Sequence, residues 1–118
     1  MELERALHTA RARVLADLEA SGAAEAEVVS LVEEAVAHRR WWVEQWPDGA
    51  VFVDGLLAQD VQDALMDRRG TRWPRCPLGD TEMEHSLGVE PELGVDPHWV
   101  CPESERVVAP VGALGARS

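Results

Sequence analysis

The sequence predicts an α+β fold: a three-helix N-terminal unit over residues 1–72, a small β-meander over 73–111, and a frayed end at 112–118. Apolar residues recur at helical spacing as far as residue 65, and Ser21-Gly22, Pro47 and Gly70 cut that stretch into three. Six of the seven prolines then fall within 74–110, where the helical period disappears. A chain of 118 residues is one domain, or one domain with an appendage, and can bury an ordinary core.

Leu3, Leu7, Ala10, Val14 and Leu18 mark the buried face of a first helix, and Leu15 widens it. Gly22 supplies a left-handed stop. Val28, Leu31, Val32, Ala35 and Val36 mark the second helix, which continues through Trp42, Val43 and Trp46 past His38-Arg39-Arg40. Trp42 and Trp46 share one face and are expected in the core. Pro47 ends this helix because it pushes residue 46 out of the helical region. Asp48 is the expected cap of a third helix whose face is Val53, Leu56, Leu57, Val61, Ala64 and Leu65. The β-branched run at 50–53 makes a short strand the competing reading there. Beyond Trp73, extended pieces are expected at 85–90, 98–101 and 106–110, joined by turns at 90–97 and 102–105.

The formal charge is −11, from 22 acidic residues against 11 arginines, with no lysine, isoleucine, asparagine or tyrosine. Arginine-only basicity points to GC-rich coding. Residues 1–75 hold 14 acids and nine arginines, and residues 76–118 hold eight and two, so acidity is denser in the tail. Such a surface repels phosphate backbones and argues against nucleic-acid binding; a basic protein partner or a cation suits it better, solubility being the plain alternative. No apolar run approaches the ~20 residues that span a membrane. Met1-Glu2-Leu3-Glu4 lacks the basic start and apolar run of a signal peptide. A cytoplasmic, reducing location is therefore expected, with Cys76 and Cys101 as thiols or metal ligands rather than a structural disulfide.

Two similar stretches carry the candidate chemistry: Trp73-Pro74-Arg75-Cys76-Pro77 and His98-Trp99-Val100-Cys101-Pro102. A Cys-Pro turn aims backbone amides at the thiolate, which is how a zinc knuckle begins. A full knuckle has a second cysteine three positions later, where this chain has Gly79 and Ser104. His98 precedes Cys101 by three and His85 follows Cys76 by nine, so Cys76, His85, His98 and Cys101 form a candidate Cys₂His₂ zinc set. The alternative is two small buried cysteines beside surface histidines, or a ribbon without metal held by Trp73 and Trp99. The two stretches, together with Glu90-Pro91-Glu92-Leu93-Gly94, resemble the C-terminal zinc-ribbon-like segment of small uncharacterised proteins from high-GC bacteria. That resemblance covers the last third of the chain and implies a ribbon-like fold with no known activity. Gly79 departs from its pattern at a usual ligand position.

A second constellation is basic and aromatic: Arg39, Arg40, Trp41, Trp42 and Trp46, and then Arg68, Arg69, Arg72, Trp73 and Arg75. If the ends of helices 2 and 3 meet, these make one positive patch with Arg40, Trp41, Arg72 and Trp73 as interaction residues. Asp60, Asp63 and Asp67 share a helical face and are best read as solvated. No phosphate loop, His-Glu-x-x-His, Gly-x-Ser-x-Gly or Cys-x-x-Cys motif occurs. The expected function is a non-catalytic protein-interaction or adaptor protein; if zinc is bound it is expected to be structural, its chelation loosening 73–111 and sparing the helices. The alternatives are a small metal-dependent enzyme using the Cys/His cluster and an acidic mimic of nucleic acid.

Overall fold

A computed structural model describes residues 2–78 and 85–116. Three helices, α1 (Glu2–Ala20), α2 (Ala26–Gln45) and α3 (Val53–Arg69), precede three short strands, β1 (Gly88–Glu90), β2 (His98–Val100) and β3 (Val107–Pro110). The strands form one antiparallel sheet in the order β1-β2-β3. Gly22 and Gly70 stand at φ 71° and 61°, and each helps close its helix with a backbone bond from the following residue, Ala23 to Leu18 and Thr71 to Leu65. Both stops lie where the sequence placed them.

Between α2 and α3 the chain takes neither a strand nor a capped α-helix. Pro47–Phe52 is a 3-10 turn, and α3 begins at Val53 behind Phe52, so Asp48 does not cap it. Gly49 explains this tight path. A Cβ there would lie 2.7 Å from ring atoms of Trp42 and of Trp46. The indoles fold back over the turn, edge to face with centroids 5.1 Å apart. Trp46 is consequently 44 % exposed, not a core residue as its spacing implied, because α2 ends at Gln45 and the backbone leaves the helical region at Trp46, at φ −141° and ψ 80°.

Interhelical ion pairs give the bundle its order. Arg40 pairs with Glu4, Arg11 with Glu33, Arg39 with Asp60, Arg68 with Glu34, and Arg69 with Glu25 and Glu27. The end of α2 therefore lies by the start of α1, and the end of α3 by the start of α2, an up-down-up arrangement. Exposed pairs contribute only about 0–1 kcal/mol each, so they mark register more than they stabilise.

One core serves helices and tail alike. Leu7, Val14, Leu18, Val32, Leu57 and Leu65 pack in the same buried cluster as Trp73, Leu87, Val89, Trp99 and Cys101. The sheet's inner residues, Val89, Trp99 and Ala109, alternate with Glu90, His98 and Val100 on the other face, where Val100 is still buried, as a strand period of two requires. Truncating Leu57 or Leu65 to alanine is expected to cost about 2–4 kcal/mol, the usual loss for a buried leucine. Urea midpoints unchanged in both variants would contradict this core.

The chain end is held as far as residue 116. The carboxylate of Asp17, wholly buried, accepts hydrogen bonds from Trp99 Nε1 at 2.8 Å, Gly112 N–H at 2.7 Å and Leu114 N–H at 3.0 Å. Residues 112–116 thus do not fray as expected: Leu114–Ala116 forms a short 3-10 turn against α1.

Candidate metal centre

Two turns bring the candidate ligands together. In the first, Cys76 N–H donates to the His85 carbonyl at 2.9 Å and Leu87 N–H to the Pro74 carbonyl at 2.8 Å, with Arg75 and Ser86 bridged between them. This short ladder sets Cys76 opposite His85. In the second, Cys101 N–H donates to the Arg106 carbonyl at 2.9 Å and Glu105 N–H to the Cys101 carbonyl at 2.8 Å. Glu105 closes that turn at φ 63°, a left-handed backbone few non-glycine residues adopt.

The tryptophan before each cysteine fixes its turn to the end of α1. Trp73 Nε1 donates to Ser21 Oγ at 2.8 Å, and Trp99 Nε1 to Asp17. The indoles meet edge to face, with centroids 5.4 Å apart. The repeated Trp/Cys-Pro pattern therefore acts as two anchored arms that converge on one point.

At that point Cys76 Sγ, a ring nitrogen of His85 and Cys101 Sγ all lie within 4.8 Å of one another. His85 Nε2 is 3.3 Å from Cys101 Sγ. A tetrahedral zinc with bonds of ~2.0–2.3 Å keeps its donors about 3.3–3.8 Å apart, so small adjustments would seat the ion. Two thiols and an imidazole are a donor set suited to zinc among biological divalent metals. The Cys101 thiol is lowered to about 6. The Ser104 hydroxyl is the main cause, burial opposes it, and backbone amides of Ser104 and Glu103 together with His85 add to it. The same donors would hold a metal-bound thiolate.

His98 does not join the cluster. Its Nδ1 lies 2.9 Å from the Asp96 carbonyl, on the sheet's outer face. A spacing of three brings ligands together on a helix or turn. Here the intervening chain is a strand, so residues 98 and 101 face opposite sides, ~10 Å apart along it. Ser104, in the place of a knuckle's second cysteine, supports the Cys101 sulfur instead of replacing it. Gly79 lies outside the described residues.

The proposed positive patch is dispersed. Arg39 and Arg40 lie at the end of α2, whereas Arg68 and Arg69 meet its beginning, each bonded to carboxylates there or across the bundle. Arg39 also lies over the Trp42 ring, 5.0 Å from its centroid. Trp73, expected at an interface, is 4 % exposed and belongs to the core. Arg72 lines a separate cleft of about 310 Å³ beside Arg75 and Pro77. Of the four interaction residues, Trp41 is exposed at 60 % and Arg72 is exposed as well, while Arg40 beside Trp41 is paired to Glu4. Asp60 is engaged by Arg39 and joins no metal cluster among the described residues.

No helix among the described residues is long and apolar enough to cross a membrane. A family model described as a domain of unknown function (DUF8819) matches residues 3–111. No curated protein and no solved structure matches the chain.

Proposed function

Because the chain belongs to the DUF8819 family, whose description assigns no activity, its function is read from its own side chains; we propose a non-catalytic interaction protein whose tail is locked by one structural zinc. The carrying observation is the convergence of Cys76, His85 and Cys101 from two separately anchored turns. The sheet has three strands of only three or four residues each, and a metal across its two turns would add a constraint to its packing on the helices. Cys101 has no exposed surface, which suits a structural ion better than one that meets substrate. Trp41 and Trp46, exposed at the end of α2, are the kind of side chain that anchors partner contacts.

One observation favours a metal-dependent enzyme as the second reading. The described residues supply three donors, leaving a tetrahedral position for water, and a cleft of about 540 Å³ has Cys101, Glu90 and Glu105 in its lining. Cobalt substitution separates the two. The structural reading expects one metal per chain and cobalt bands unmoved by azide. Bands that shift on adding azide would reveal an exchangeable position and favour the enzyme. Because Trp73 and Trp99 share the helices' core, chelation should lower the single melting transition of the whole chain rather than loosen the tail alone.

A further inference from the structure

Among the described residues, one face of the sheet packs on the helices and no element lies over the other. Glu90, His98, Val100 and Val107 lie on that second face, where Val107 is 63 % exposed and Val100 only 6 %. A hollow of about 470 Å³ on this face is lined by Glu90, Pro91, His98, Val100, Glu105 and Val107. Val100, Val107 and Pro91 supply its apolar lining, and Glu90 and Glu105 its acids.

A sheet face with apolar side chains is ordinarily covered by a helix, and among the described residues none lies over this one. Charge decides what can fill the place. Residues 76–118 carry eight acids against two arginines. That field repels a second copy of the same face, a nucleic acid and an anionic lipid surface alike. We propose that this face docks a basic amphipathic helix of a partner protein, its apolar stripe in the hollow at Val107 and Pro91 over Val100 and its flanking arginines or lysines on Glu90 and Glu105. The assignment rests on the interaction-protein reading above and names the chemistry of the partner.

The probe is a synthetic 15-residue helix with leucines at i, i+3, i+4 and i+7 flanked by arginines, titrated into the zinc-loaded, ¹⁵N-labelled full chain. Its control is the same peptide with glutamates for the arginines. Saturable amide shifts should centre on residues 88–90, 98–100 and 105–107, and the glutamate peptide should cause none. Glu90→Gln with Glu105→Gln should weaken binding at least tenfold, as should Val107→Ser, which alters an exposed position and leaves folding intact. Glu44→Gln with Asp67→Asn, the same charge change elsewhere, should change affinity less than twofold. Equal losses in the two double variants, or shifts scattered over the acidic surface, would overturn the proposal. Shifts centred on Trp41 and Trp46 would also overturn it while leaving the interaction reading standing; no saturable binding anywhere would count against both.

Discussion

Replacing Asp17 by alanine should lower the unfolding free energy by about 3–5 kcal/mol. Its carboxylate accepts from the Trp99 indole and from the Gly112 and Leu114 amides, and each donor left without an acceptor costs about 1–3 kcal/mol. The position is otherwise a poor one for an acid. It lies in the last turn of α1, where the helix dipole disfavours negative charge by about 0.3–1 kcal/mol. Three donors outweigh that penalty, and against a typical stability of 5–15 kcal/mol the loss is a large fraction. Asp17→Asn should cost less, since its amide oxygen can keep part of the set. Urea unfolding of the three proteins measures this; an alanine variant within 1 kcal/mol of the parent would mean that the tail is held by something else.

Trp99→Ala should be nearly as damaging, at about 3–5 kcal/mol. The side chain is fully buried and packs edge to face on Trp73 while donating to Asp17. Trp99→Phe isolates the last of these. It keeps most of the apolar volume and loses the indole N–H, for an expected cost of about 1–2 kcal/mol. Because Trp99 and Asp17 share one bond, Asp17→Ala with Trp99→Phe should cost less than the two singles added, by at least about 0.5 kcal/mol. Strict additivity would show that the bond does not couple tail to helix.

The helices and strands were legible because their signals are local. The Leu7, Val14 and Leu18 stripe, the glycines at 22 and 70, and the short non-helical segments at 98–100 and 107–110 between turns each act within a few residues. What was missed depends on contacts far apart in sequence. Asp17 sits on the buried stripe between Val14 and Leu18, a charged residue on an apolar face; that anomaly was visible, but its partners lie 82 to 97 residues away. The tryptophans exchanged roles for a similar reason. Trp46 looked buried by helical period, but the turn at Gly49 pulls it outward, whereas Trp73 finds Ser21 and Trp99 across the chain. His98 is different: once 98–101 is read as extended, alternation alone separates His98 from Cys101, so its exclusion was available from the sequence.

Zinc stoichiometry across four single variants tests the metal centre most directly. The purified parent should carry one zinc per chain. Cys76→Ser, His85→Ala and Cys101→Ser should each lose most of it, since ligand removal leaves at most two of the three converging donors. His98→Ala, altered on the opposite face of β2, should retain the full complement. A parent without zinc even after refolding with the metal, or a His98→Ala variant that loses it while His85→Ala does not, would contradict the account.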